Sequence, residues 1–163
     1  IADGDWSSDV CSSDLPDLTL KKEMLKRAKA EGKKNVFLVN CVHHYSKVSA
    51  LFKRAAVTIS TRHHPIIFSL GGAVPCLALN TSTYFATKNS GALALCDLGG
   101  FALKIGAVAL TDERRLVLKK AFDYMYWNKQ ELSLQILHAH TWLKDAKTQF
   151  LQDVASVYEE RLN

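Results

Sequence analysis

Fifteen residues, Thr61-Arg62-His63-His64-Pro65-Ile66-Ile67-Phe68-Ser69-Leu70-Gly71-Gly72-Ala73-Val74-Pro75, constrain the fold more than any other stretch. Before them, Ala56-Val57-Thr58-Ile59-Ser60 is short, apolar and β-branched, the composition of a buried parallel strand. Within them, Pro65 donates no backbone hydrogen bond and suits the first position of a helix, and it pushes His64 towards the extended conformation of an N-cap. The expectation is a helix from about Pro65 whose first turn leaves the N–H groups of Ile66 and Ile67 unpaired. Such a turn, at the positive end of the helix dipole, holds phosphate or carboxylate, and Arg62 and His64 add charge there. Gly71-Gly72 closes this helix instead of opening one, so it is no dinucleotide fingerprint.

The rest of the chain repeats the alternation. Residues 18–30 read as a basic amphipathic helix, with Leu20, Met24, Leu25 and Ala28 inward and Lys21, Lys22, Lys26, Arg27 and Lys29 outward, ended by Gly32. The run Asn35-Val36-Phe37-Leu38-Val39-Asn40 predicts a buried strand, and residues 45–55 the next helix. Cys76 to Leu79 predicts another strand, with a helix starting near Tyr84 and a further strand at residues 101–105. Asp112 is the expected cap of a helix over residues 113–127. Leu132, Ile136, Ala139, Leu143, Ala146, Phe150, Val154 and Val157 then keep a helical period for roughly seven turns. Short apolar strands alternating with helices predict βαβ units: a three-layer, Rossmann-like α/β domain around a parallel sheet. Ligands of such sheets bind beyond the carboxyl ends of the strands.

Residues 1–15 differ in composition from the remainder of the chain and resemble sequencing-adapter read-through; they are expected to be a non-native leader outside the fold. They hold four Asp and no Lys or Arg, so residues 16–163 carry 21 basic against 12 acidic residues, a formal +9. That balance favours anionic partners or a solvated Lys-rich face. The basic residues lie on helix faces without interleaved aromatics, which argues against nucleic acid as the partner. No apolar run reaches the roughly 18 residues of a membrane span, and none is expected. Cys41, Cys76 and Cys96 form no C-x-x-C pair; Cys41 and Cys76 read as reduced core thiols of a cytoplasmic protein.

Ser60-Thr61-Arg62-His63-His64-Pro65-Ile66-Ile67-Phe68-Ser69-Leu70-Gly71-Gly72-Ala73-Val74-Pro75, with Leu77-Ala78-Leu79 and then Tyr84 and Lys88 one turn apart, resembles the C-terminal domain of the polysaccharide pyruvyl transferase family. That family's motif reads Arg-x-His, an apolar helix, a small residue, Val-Pro, a strand, and then a Tyr with a Lys about one helical turn on. The likeness is specific over residues 55–91, and the helical remainder agrees only in pattern. It implies the donor-binding, C-terminal half of a two-domain fold of the glycosyltransferase B type, with long C-terminal helices and with the N-terminal domain absent. It also implies transfer of a pyruvyl group from phosphoenolpyruvate to a saccharide hydroxyl, giving a pyruvate ketal and phosphate, with no further cofactor. His63 stands where the family usually has Leu.

The resemblance assigns His64 as the general acid that protonates the enol methylene carbon, or as a phosphate ligand. Arg62 offers a planar fork to carboxylate or phosphate, its structural alternative being an ion pair. His63 contributes its backbone N–H, or is an exposed neutral histidine. Ser82 and Thr83, with Asn80 and Thr81, complete the donor pocket or cap the helix. Tyr84 and Lys88 share one helical face, where Lys88 contacts the anionic donor or is solvated. His43 and His44 reach the same rim, but no ligand set at helical spacing stands for a metal, and none is expected. A nucleotide-sugar glycosyltransferase donor domain is the runner-up, and a non-catalytic anion or nucleic-acid binding module the alternative from another class.

Overall fold

The computed structural model describes residues 14–37, 45–105 and 111–160, which fall in two units, Ile1–Val42 and His43–Asn163. In the first unit α1, Asp14–Ala30, ends where Gly32 takes φ +77° and its N–H and that of Lys33 bond back to Lys29 O and Ala28 O. Glycine has no Cβ to clash in this left-handed conformation, as the sequence anticipates. Met24 departs from its predicted inward orientation, with 61% of its surface exposed, while Leu25 and Ala28 are half-buried. α1 is the one regular element described in its unit, so no described element of that unit covers its apolar stripe. Asn35 to Phe37 is not strand, and Phe37 is exposed. Residues 38–40, Cys11, Cys41, His43 and His44 lie outside the described residues.

The second unit runs α2 Tyr45–Phe52, β1 Thr58–Ser60, α3 His63–Gly71, β2 Cys76–Asn80, α4 Thr83–Ala94, a 3-10 turn Gly99–Phe101, β3 Ala102–Lys104, α5 Asp112–Trp127 and α6 Lys129–Glu160. It is a mixed α/β unit. The strands form a parallel sheet in the order β1-β2-β3, with Thr58 opposite Cys76 and Ala78 opposite Ala102. Parallel neighbours need a crossover, and α3 and α4 supply them; α3 packs on β1 and β2, α4 on β2 and β3, and the two helices on each other. β2, paired on both sides, is buried except at the half-buried Leu79, whereas Ile59 of β1 is half in solvent. The buried strand predicted at residues 56–60 is therefore a three-residue edge strand among the described residues: composition marks a strand but not its place in the sheet.

The core gathers Ile66 and Leu70 of α3, Cys76, Leu77 and Ala78 of β2, Leu93, Cys96 and Leu98 at the end of α4, Met125 of α5, and Leu132 and Ile136 of α6. Removing a side chain such as Ile66 from water stabilises by roughly 1.5–3 kcal/mol. Beneath it, Ser69 Oγ donates to Pro65 O at 2.7 Å and meets Thr58 Oγ1 at 2.7 Å, fastening α3 to β1. The Cys76 thiol lies beside them; burial pushes its pKa up, and hydrogen bonds with Thr58 and Ser69 partly oppose that.

Two helix starts differ from expectation. Thr111, not Asp112, caps α5, its hydroxyl accepting the Arg114 N–H at 3.3 Å, which leaves Asp112 and Glu113 in the first turn beside the positive dipole end. α3 begins at His63, two residues before Pro65. Proline at the third helical position loses nothing, because that N–H has no intrahelical acceptor either. No described helix is long and apolar enough to cross a membrane.

Candidate functional rim at the carboxyl ends of β1 and β2

With α3 starting at His63, Arg62 is the N-cap, extended at φ −108° and ψ 150°, and its side chain makes no capping hydrogen bond. The first-turn donors are thus the N–H groups of His63 and His64, in place of those of Ile66 and Ile67. Ser60, the last residue of β1, fixes the turn: its Oγ accepts the Arg62 N–H and donates to Arg62 O, both at 3.0 Å. Arg62 and His64 are exposed and His63 is half-buried.

The second half of the rim lies after β2. Ser82 is the N-cap of α4, its Oγ accepting the Phe85 N–H at 3.4 Å. Thr83, Tyr84 and Lys88 are exposed on the first turns. As i,i+4 spacing predicts, Lys88 Nζ sits over the Tyr84 ring, 5.8 Å from its centroid. Arg62, His63 and His64 at the start of α3, and Ser82, Thr83, Tyr84 and Lys88 at the start of α4, therefore share the carboxyl edge of two adjacent parallel strands, where such sheets take their ligands.

One contact joins the two halves. His63 Nδ1 lies 3.0 Å from Asn89 Oδ1, and Asn89 Nδ2 donates to Asn80 Oδ1 at 2.7 Å. Both asparagines are fully buried, and Asn80 Nδ2, itself buried, has no partner among the described residues. The His63 side chain is accordingly not the exposed histidine foreseen as one alternative; it is tethered to α4. Asn89 is not among the site residues expected from the sequence, yet a signal for it exists. Phe85, Ala86, Asn89 and Leu93 all fall on the buried or half-buried stripe of α4, and an asparagine there must have partners inside.

The electrostatics are one-sided. From His43 to Cys96 the second unit contains Lys47, Lys53, Arg54, Arg62 and Lys88 and not one Asp or Glu. An incoming anion therefore meets no like charge from the elements that carry the rim. Among the described residues no three His, Cys, Asp or Glu side chains gather as a metal would require. A cavity of about 450 Å³ lies elsewhere, between the end of α4 and α6, lined by Leu95, Asp97, Gln135, His138 and Trp142. Its wall at Ala94 is roughly 16 Å along the α4 axis from Thr83. A second cavity of about 490 Å³, lined by Ala55, Ala56, Lys129 and Leu134, also lies away from the rim; the cationic side chains, first-turn N–H groups and strand ends decide for the rim over either cavity. No family model, curated protein or solved structure matches the chain.

Proposed function

We propose that the unit from His43 is the donor-binding half of a polysaccharide pyruvyl transferase, a cytoplasmic enzyme of the two-domain glycosyltransferase B type. It moves a pyruvyl group from phosphoenolpyruvate to a saccharide hydroxyl. The observation that carries this reading is Arg62-x-His64 on a strand-to-helix turn, with Tyr84 and Lys88 on the neighbouring helix start at the same edge of the sheet. Arg62 and the first-turn N–H groups bind the donor's phosphate or carboxylate oxygens. His64, exposed beside them, delivers the proton that the enol methylene must receive, which turns the adjacent carbon into an electrophile for the hydroxyl. Lys88, held over Tyr84, balances the remaining negative charge. The acceptor is presented by a partner domain, as in other cleft enzymes that orient two substrates. Arg62→Ala and His64→Ala are expected to abolish ketal formation in the assembled enzyme, measured as phosphate released from phosphoenolpyruvate. Undiminished turnover in both variants contradicts the assignment.

A further inference from the structure

The amide of Asn89 decides the chemistry of His63. With its Nδ2 donated to Asn80 Oδ1 at 2.7 Å, Asn89 turns Oδ1 to the imidazole nitrogen Nδ1 at 3.0 Å, an arrangement that calls for the Nδ1–H tautomer of His63. The other ring nitrogen is then bare in the neutral form. Nε2 has no partner among the described residues and is not among the buried unpartnered polar atoms, so it is not fully buried, on a residue that stands between Arg62 and His64 at the start of α3. The ring centroids of His63 and His64 are 6.2 Å apart. The support behind the tether is itself costly: two fully buried amides, one with an unpartnered donor, are retained in an otherwise apolar layer. Burial that serves stability alone favours apolar residues at such positions. A buried amide pair that orients a surface imidazole has a reason to persist.

We propose that His63 is the proton acceptor for the attacking saccharide hydroxyl, oriented by Asn89 with Asn80 as the second positioning residue; this rests on the pyruvyl-transfer reading. In the addition step the hydroxyl oxygen bonds to the central carbon of phosphoenolpyruvate, the double bond's electron pair takes a proton from His64 at the methylene, and the hydroxyl proton passes to His63 Nε2. A neighbouring hydroxyl of the same sugar then displaces phosphate, which leaves with that hydroxyl's proton. One proton is given, one is taken, and nothing is oxidised. His64 ends the cycle deprotonated and His63 protonated, and exchange with solvent resets both. The substrate class is thereby set: an acceptor with two hydroxyls close enough to close a cyclic ketal.

Imidazole nitrogen NMR on the full chain tests this without any ligand. A neutral histidine free in water favours the Nε2–H tautomer, so Nδ1–H at His63 is the diagnostic result, and Nε2–H at His63 overturns the inference whatever the chain's activity. Asn89→Leu, if its amide spectrum stays native, is expected to release the ring to the Nε2–H form; Nδ1–H persisting there also overturns it. Should Asn89→Leu fail to fold, Asn89→Asp serves: its carboxylate accepts the same Nδ1–H, and a turned Asn80 amide donates its spare Nδ2–H, so the tautomer is retained. In assembled enzyme His63→Gln is expected to lower turnover about 10²-fold or more with phosphoenolpyruvate affinity unchanged. Unchanged turnover removes the base role. A chain with the Nδ1–H tautomer in which phosphoenolpyruvate leaves Arg62 and His64 unperturbed overturns the pyruvyl-transfer reading, and the base role with it, while the oriented imidazole stands.

Discussion

Ser69 has no exposed surface, and its hydroxyl serves two partners on two elements, Pro65 O and Thr58 Oγ1. Ser69→Ala strips Thr58 of that partner and is expected to cost about 1 kcal/mol, read as a lower urea midpoint at unchanged slope. The thiols give a second test. Burial pushes Cys76 and Cys96 above the ordinary 9.0, with Asp97 adding to the effect at Cys96. The unfolded chain therefore loses these protons before the folded one does. Their contribution is complete below pH 9.0 and falls as pH rises from there towards the raised native values. Between about pH 8 and about pH 10 the wild-type chain should lose more unfolding free energy than a Cys76→Ala, Cys96→Ala variant; equal losses contradict the burial argument. At this scale the strand-to-helix turn that carries Arg62 and His64 was legible in the sequence, because a short apolar strand followed by a proline marks such a turn, although the helix starts at His63 and not at Pro65. The His63 tether was not, because it depends on Asn89, 26 residues away, and on which way a buried amide turns.

α3 and α4 end alike, and neither uses glycine where the backbone turns left-handed. After α3, Ala73 has φ 56°, with its N–H to Leu70 O at 2.8 Å and that of Val74 to Ser69 O at 2.9 Å. After α4, Asp97 also has φ 56°, with the matching pair to Ala94 O and Leu93 O. A side chain in this conformation costs roughly 1–2 kcal/mol, partly offset because glycine loses more freedom on folding. Ala73→Gly should thus stabilise by about 0.5–1 kcal/mol, visible as a higher melting temperature. Gly72→Ala should do the reverse, since its Cβ would come within 2.6 Å of Lys53 Cγ and 3.2 Å of Lys53 Cα. The sequence placed the stop at the two glycines and missed that the left-handed residue is the next one. α6 marks another limit of periodicity. Leu132 and Ile136 are buried, yet Phe150 is 63% and Val154 44% exposed on the same predicted stripe. A helical period says which face is apolar; it does not say how far along the helix something covers it.

At the scale of the whole molecule, the alternation of strands and helices foretold a parallel α/β sheet, and β1, β2 and β3 with their two helical crossovers bear that out. Strand order and edge position depend on pairings that no local pattern encodes, which is why Ile59 reads as core and stands half in solvent. What the topology contributes to function is convergence. Two consecutive strand ends bring Arg62, His63 and His64 to one rim with Ser82, Thr83, Tyr84 and Lys88, on elements free of carboxylates. The proposed activity requires that rim to take a small anion with an enol phosphate and a carboxylate. Calorimetric titration of the chain with phosphoenolpyruvate, beside Arg62→Ala and a sugar nucleotide, tests this most directly. The prediction is saturable binding of phosphoenolpyruvate, weakened about 10- to 100-fold in the variant through the loss of one charge-assisted contact, with no heat from the sugar nucleotide. Binding of the sugar nucleotide alone, or phosphoenolpyruvate binding indifferent to Arg62, contradicts the donor site.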